Sequence, residues 1–349
     1  MSRHNVKIKT LSAVHMGSGN KKVRDIDFFD NKDFVYFLNV DKIGDALGIA
    51  SNPSIANDWA NKTMLGQQLQ FLSKRGVDYK EFSRRVPNYV EEFSDKAPSV
   101  SMQMRDGRGI AYIPGSTIKG AIRTAIFALL AKDERREYIN NQREAEQWGK
   151  NFFGEIAADP FRFLKIGDSF FDNPSMGVIN TVQIKKSNIN YNRADIDTIK
   201  QYAEVFLAEN ESNFSLTLDT GGLEMAYKSK RISRQVPQFK SVEDLFNAIN
   251  THTKHLVKSE LDLWDGVIDA EPMCDFLNYI VEEIDDCSHK ECVMRMGNAS
   301  GKRFITGGIL ENFRFVRNAI PKTRRIELAE DNKGVYFDLL GFVKLTIVG

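Results

Sequence analysis

The chain is poor in cysteine, with three among its 349 residues, and its formal net charge is only +1. Cys274, Cys287 and Cys292 are too few and too oddly numbered for a disulfide framework. No apolar run approaches the roughly 20 residues that a membrane-spanning helix needs. Residues 1–9 lack the apolar core of a signal peptide. We therefore expect a globular cytoplasmic protein.

The small net charge hides an uneven distribution. Residues 1–24 hold six Lys or Arg and no acid, and residues 228–240 hold five and no acid. Residues 294–325 hold eight against one acid, whereas residues 260–291 hold eleven acids against Lys290 alone. Blocks of one sign predict a polarised surface, and the basic blocks favour a phosphate-rich partner. Ordinary solvated faces remain the alternative for any single block.

One stretch, Tyr112–Arg123, combines a glycine turn with a helix start. Pro114 and Gly115 precede apolar residues at helical spacing, which predicts an amphipathic helix with Ser116 as its N-cap. Lys119 and Arg123 stand four residues apart on that helix. Free amides and two cations at a helix start predict an anion site. The spacing of a nucleotide-triphosphate loop is absent, and a plain capped helix with solvated cations is the alternative.

Two further glycine turns stand beside cations, at residues 14–24 and 295–303. In the first, His15 could stack on a base, donate to a phosphate, act as an acid or base, or simply pack. Residues 219–240 interleave aromatics with cations, which suits single-stranded nucleic acid, although a solvated loop explains them equally well.

Several carboxylates and sulfur ligands suggest metals, but weakly. Four aspartates at 25, 27, 30 and 33 could hold Mg²⁺, yet Phe34–Leu38 is a strong strand and residues 30–33 suit a hairpin turn, which we favour. The Cys-x-His-x-x-Cys spacing near residue 290 matches no standard zinc finger. We expect reduced cysteines, no metal and no cofactor, with His252 and His255 on the surface.

The stretch 112–123 closely resembles the IPGSSLKGALR signature of the RAMP superfamily, the repeat-associated proteins of CRISPR systems. The turns at 14–19 and 295–301 and the strand at 163–170 resemble other patterns of that superfamily. The runs 321–325 and 341–345 look like the large cap subunit of type III-A CRISPR (Csm) effector complexes. These pieces sample the chain from residue 6 to 345 in order.

Strands mixed with helices predict an α+β protein, and the resemblance implies a ferredoxin-like core, akin to an RNA-recognition motif, within one elaborated domain over residues 1–349, with residues 187–240 as a thumb-like projection. The residues themselves predict a helical insertion over 41–97, with helical patterns over 54–73 and 79–93, and an acidic helical segment over 241–292, with helices over 241–264 and 272–284. The implied function is a non-catalytic subunit that binds CRISPR RNA and caps the backbone filament near the guide 3′ end. It would thereby support guide RNA maturation and antiviral defence.

The implied partners are CRISPR RNA, other Csm subunits and possibly target RNA. The residues expected to bind RNA come from the three turns and the thumb: His15, Gly17, Ser18, Gly19, Lys21, Lys22, Arg24, Gly115, Ser116, Lys119, Arg123, Tyr227, Lys230, Arg231, Arg295, Gly297, Ser300, Gly301, Lys302 and Arg303. The alternative is a RAMP-family endoribonuclease that uses Asp25 or Asp27 with a metal, or His15 as acid and base.

Overall fold

The structure is a computed structural model that describes residues 2–93, 98–132, 147–148, 150, 152–184, 200–266, 270–305, 324–331 and 334–348. Over that part of the chain, none of the helices has the length and apolar character needed to cross a bilayer.

The described residues form helices and strands in mixed order, which confirms the α+β class. The helices are α1 Val40–Ala46, α2 Ser54–Met64, α3 Gln68–Lys74, α4 Gly115–Ala131, α5 Thr220–Lys228, α6 Val242–Trp264, α7 Glu271–Asp285 and α8 Gly301–Ile305. The strands are β1 Ser2–Thr10, β2 Gly17–Val23, β3 Phe28–Asp30, β4 Phe34–Leu38, β5 Ser83–Pro87, β6 Ser99–Gln103, β7 Tyr112–Ile113, β8 Leu164–Ile166, β9 Ser169–Phe170, β10 Met176–Ile184, β11 Gln201–Phe206, β12 Glu211–Leu218, β13 Glu291–Arg295, β14 Arg324–Asp331, β15 Gly334–Asp338 and β16 Phe342–Ile347.

The first sheet carries the main core. Its strand order is β13-β16-β1-β12-β8, and every neighbouring pair is antiparallel. Val6 and Ile8 of β1 point inward to pack with Ile118 and Ile122 of α4 and with Phe246 of α6. Helix α4 lies between β1 and β8 in the chain and helix α6 between β12 and β13, so four of the five strands follow a βαββαβ order. The ferredoxin-like assignment stays a prediction, which this connectivity supports.

A second sheet, in the order β15-β14-β10-β11-β6-β2, lies beside the first, and only its β6–β11 pair among the described strands is parallel. A smaller sheet, β3-β4-β5, packs on it through Phe28, Phe37, Val100 and Tyr202. Because β1 belongs to the first sheet and β2 to the second, the glycine turn between them lies where the chain crosses from one sheet to the other.

The hairpin prediction at residues 30–33 is confirmed. Strands β3 and β4 pair directly, and the Asn31 side chain accepts hydrogen bonds from the amides of Asp33 and Phe34 at 3.0 and 2.7 Å. The aspartates there are turn residues, as we favoured. Among the described residues no cluster of His, Cys, Asp or Glu has the geometry of a metal site.

One prediction of local structure is wrong. The helical pattern expected from residue 79 to 93 is replaced by strand β5, where Arg84 and Arg85 alternate over Phe37 and Phe34 at 4.8 and 4.5 Å. Tertiary pairing with β4 overrides the local pattern.

The solvated-loop alternative for residues 219–240 does not hold at their start, where helix α5 begins and the Asp219 side chain caps it by accepting from the Gly222 amide at 3.0 Å. Of the predicted thumb, residues 187–199 lie outside the described residues, so its extent stays a prediction.

The acidic segment matches its predicted helices, but not the prediction for its histidines. Helices α6 and α7 cover the two patterns expected near residues 241–264 and 272–284. His252 is buried rather than on the surface, whereas His255 is exposed as expected. Burial lowers the pKa of His252 to about 4. The three cysteines form no disulfide, and burial raises the pKa of each thiol.

Candidate nucleic-acid interface

The first and third glycine turns are joined by backbone hydrogen bonds. The amide of Asn298 donates to the carbonyl of His15 at 2.9 Å, and the amide of Gly341 donates to the carbonyl of Ala13 at 2.8 Å. Gly297 has φ +87°, and a Cβ there would lie 2.8 Å from the His15 carbonyl oxygen. Only glycine fits such a close approach in the left-handed region. The two turns therefore form one rigid junction although the paired residues His15 and Asn298 are 283 positions apart in the chain.

A cleft of about 530 Å³ opens at this junction. The described residues that line it come from all three predicted glycine turns and their surroundings: Met16, Gly17, Gly19, Met104, Pro114, Thr117, Ala121, Thr124, Arg295, Met296, Gly297, Asn298, Ser300, Phe304 and Ile305. The structure thus brings together residues 16–19, the start of α4 and residues 295–300, as the interpretation of a single binding groove requires.

Helix α4 presents its small side chains to the cleft, not its cations. Thr117, Ala121 and Thr124 recur at helical spacing along the cleft wall. Lys119 and Arg123 lie on another side of the helix, where the Arg123 guanidinium contacts Asp159 at 2.5 Å. That guanidinium also lies over the rings of Phe153 and Phe161, at 4.5 and 5.0 Å from their centres. Partial burial lowers the pKa of Lys119, while the charge of Asp159 opposes this shift and that of Arg123 adds to it.

These contacts give Arg123 a structural role, while RNA binding by Lys119 and Arg123 stays a prediction. The cation of Arg123 is committed to a partly buried ion pair and to two aromatic rings, so it stabilises the packing behind the helix. Sequence spacing placed both cations on one face, but it could not reveal that this face is turned toward Asp159, 36 residues further along the chain.

The prediction that Ser116 caps the helix is wrong. The N-cap is Pro114, which makes no side-chain hydrogen bond, and Ser116 is exposed within the first turn. The Gly115 amide donates to a carboxylate oxygen of Asp168 at 2.8 Å. A Cβ on Gly115 would lie 2.3 Å from the carbonyl oxygen of Ile166, so only glycine fits. The first helix amide is thus satisfied by the protein's own carboxylate, supplied by the strand that resembled the superfamily pattern.

The cations after the first turn differ in whether they form ion pairs. Arg24 contacts Asp30 at 2.7 Å and Lys22 contacts Asp27 at 3.4 Å. Lys21 on β2 is exposed and has no ion-pair partner among the described residues. Strand β2 is the edge of the second sheet and starts at Gly17 on the cleft wall. Lys21 is therefore an exposed cation on the strand that starts at the cleft wall.

The carboxylates proposed for a nuclease have local roles. Asp27 accepts from the Val23 amide at 2.8 Å as well as from Lys22. Asp25 has φ +65°, in the left-handed region typical of turn residues.

The Ser18 hydroxyl donates to the Met102 carbonyl at 3.1 Å, which fixes the first turn to β6.

His15 is buried, which supports the packing interpretation. Its Nδ1 lies 2.7 Å from the backbone carbonyl oxygen of Glu204. The Glu204 side chain is fully buried and contacts Arg84 at 2.5 Å and Arg105 at 2.7 Å. Sequence reasoning missed this cluster, although a single carboxylate inside the apolar strand β11 was a signal, because a buried charge requires a partner.

The third turn is held by its own polar groups. Arg295 is buried, its Nε donates to the Leu340 carbonyl at 2.7 Å, and its guanidinium lies over Phe304 and Phe342. The Ser300 hydroxyl donates to the Gly297 carbonyl at 2.8 Å. These side chains shape the cleft wall from within.

At the end of this turn Gly301 has φ +79° and begins α8. Arg303 contacts the buried Glu260 of α6 at 3.5 Å, and the side chain of Lys302 lies outside the described part of the structure. Arg303 therefore anchors α8 to the helical layer.

The predicted thumb residues lie elsewhere. The Tyr227 hydroxyl accepts from the Val236 amide at 3.0 Å, and the ring packs against the main core. Burial raises the pKa of Tyr227. Lys230, with φ +57°, and Arg231 are exposed, and none of the three lines the cleft as the described residues form it.

Comparison with known proteins identifies the family to which this chain belongs. The family model of the RAMP superfamily matches residues 7–268, and the chain belongs to that superfamily. A curated relative, the CRISPR system Cms protein Csm5 of Streptococcus thermophilus, is 26% identical over 190 residues. The match covers 47% of this chain and about half of that protein, 51% of its length.

Two solved structures share the fold along nearly the whole chain. The crystal structure of T. onnurineus Csm5 is 17% identical with a TM-score of 0.65, over 98% of this chain and 100% of that one. A chain of a cryo-EM structure of a Csm–crRNA–target RNA ternary complex, from a type III-A CRISPR-Cas system, is 17% identical with a TM-score of 0.66. The match covers 99% of this chain and 100% of that chain. At this identity the likeness establishes the fold.

Proposed function

We propose that this chain is a non-catalytic subunit of a type III-A Csm complex that binds CRISPR RNA and caps the backbone filament near the guide 3′ end. The observation that carries the proposal is the convergence of three separate glycine turns on one cleft. The similarity to Csm5 proteins supports the choice of complex. CRISPR RNA, target RNA and the other Csm subunits are the proposed partners.

The cleft suits a sugar-phosphate backbone. At Gly19 a Cβ would meet no atom within 4 Å, so a ligand can approach the main chain closely there, whereas Gly297 serves the close contact with His15. Thr117 adds a hydroxyl from α4, whereas the Thr124 hydroxyl already donates to the Gly120 carbonyl at 3.0 Å, and Lys21 adds an exposed cation from β2. Contacts of this kind position a strand without reading its bases, whereas guide pairing reads the sequence.

The endoribonuclease alternative has no support in the arrangement of its residues. Asp27 is engaged by the Val23 amide and Lys22, and His15 is buried against Glu204. Asp25 and Asp27 belong to a turn before β3 and do not line the cleft formed by the described residues.

The test is the salt dependence of binding to single-stranded RNA. Removing one phosphate contact lowers the slope of log affinity against log salt by about 0.7. We expect Lys21→Ala to do this, and Lys228→Ala, which removes an exposed lysine paired with Glu224 on α5, to leave the slope unchanged. Equal slopes for wild type and Lys21→Ala would contradict the role of Lys21.

A second pair of variants tests the cleft itself. Thr117→Glu places a carboxylate on the cleft wall and should abolish most RNA binding, whereas Ser116→Glu, one residue away but outside the wall, should not. Both changes add an acid to the first helix turn, so they share the same favourable interaction with the helix dipole. If both variants bind RNA like the wild type, the cleft is not the binding site.

A further inference from the structure

An aromatic pair lies on the short strand pair β7–β9. Tyr112 and Phe170 are direct partners in register, with ring centres 5.1 Å apart and ring planes only 24° from parallel. Their strand neighbours Ile113 and Ser169 are buried, so the alternation of the strands turns both rings toward the other face. Phe170 is 41% exposed, although a second ring already stacks on it.

The pair is continuous with the cleft wall. Tyr112 and Ile113 lead directly into Pro114, which lines the cleft, and the Tyr112 amide donates to the carbonyl of Met104, another lining residue, at 3.2 Å. On the other strand Asp168, two residues before Phe170, holds the Gly115 amide at the start of α4. The strand pair that carries the two rings is thus joined by chain and by hydrogen bonds to two lining residues, Pro114 and Met104, and to the start of α4.

Core packing does not explain this arrangement. Large aromatic side chains contribute most to stability when buried, yet Phe170 leaves much of its surface in water. Many aromatic pairs inside the protein are steeply inclined, as Phe153 and Phe161 are at 76°. A nearly parallel exposed pair offers a flat surface, and bases of every sequence stack on such surfaces.

We infer that Tyr112 and Phe170 form a stacking platform for an unpaired RNA base at the mouth of the cleft. This inference rests on the proposed function and adds a base contact to it. A stacked base would fix the register of the strand and stop it from sliding, without selecting one base over another.

The test compares single-stranded RNA with an abasic RNA of the same length, measured by fluorescence anisotropy with the full chain. The wild type should bind intact RNA more tightly than abasic RNA. Phe170→Leu keeps an apolar side chain but removes the ring, and it should weaken binding of intact RNA by roughly 5-fold or more while leaving abasic RNA unchanged. Phe170→Tyr keeps a ring and should bind like the wild type.

Tyr279→Leu is the matched control. Tyr279 on α7 is 37% exposed and pairs with Phe276, but those rings are tilted by 42° and are not among the described residues that line the cleft. This variant should bind both RNAs normally. Equal affinity of the wild type for the two RNAs, or normal binding of intact RNA by Phe170→Leu, would overturn the platform and leave the phosphate cleft standing. If the wild type binds neither RNA, the proposed function itself is refuted.

Discussion

Gly115 is the position at which the junction tolerates least change. In Gly115→Ala the new methyl group would lie 2.3 Å from the carbonyl oxygen of Ile166 and 2.7 Å from that of Gly167, both rigid backbone atoms. Helix α4 and strand β8 must move apart, and this overpacking lowers the free energy of unfolding by about 1–3 kcal/mol. The displacement also breaks the hydrogen bond from the Gly115 amide to Asp168, worth about 1 kcal/mol as a cap. We expect destabilisation by about 2–4 kcal/mol.

Gly120 provides the control within the same helix. It is exposed, and a Cβ there would meet no atom within 4 Å, so Gly120→Ala should stabilise the protein by about 1 kcal/mol through helix propensity. The assay is urea unfolding followed by circular dichroism, in which the midpoints should move in opposite directions. A Gly115→Ala midpoint at or above that of the wild type would refute the steric reasoning.

Three other outcomes follow from the buried groups. Arg123→Ala should lower the free energy of unfolding by about 1–3 kcal/mol because Asp159 loses its partner, while the salt slope of RNA binding stays unchanged; a flattened slope with normal stability would contradict this. The pKa of His252 is about 4 in the folded chain and about 6.5 when unfolded, so urea midpoints should fall as pH drops from 6.5 toward 4, and less so in His252→Gln. If both proteins show the same pH dependence, His252 is not the cause. The pKa of Cys287 is about 11, so the rate of its alkylation by iodoacetamide should keep rising about tenfold per pH unit between pH 8 and 10. Mass spectrometry measures this rate, and a plateau near pH 9 would contradict the burial of the thiol.

Much of the local structure could be predicted because its causes lie within a few residues. The apolar and aromatic run Phe34–Leu38 and the turn chemistry of Asn31 are enough for a hairpin, and the apolar spacing after Gly115 is enough for helix α4. The three glycine turns were also recognisable, because glycine beside cations and at a helix start has few other uses. Their order along the chain carried the resemblance to the RAMP superfamily, which the family match confirms.

The orientation of individual side chains could not be predicted in the same way. Lys119 and Arg123 have the spacing of a phosphate site, yet the partner that decides their role, Asp159, comes from a distant segment. The same holds for Gly115, whose amide is satisfied by Asp168 instead of by a neighbouring hydroxyl. For β5, pairing with β4 overrode a pattern that looked helical.

The sequence by itself determined the elements, the polarised charge and the three glycine turns, because periodicity and backbone freedom are local properties. Only the tertiary structure decided that the turns meet in one cleft and that Thr117 and Thr124 of α4 line it while Lys119 and Arg123 do not. It also decided that Tyr112 and Phe170 stack. Which side of a helix faces a ligand depends on contacts between residues far apart in the chain, and those contacts exist only once the two sheets have packed together.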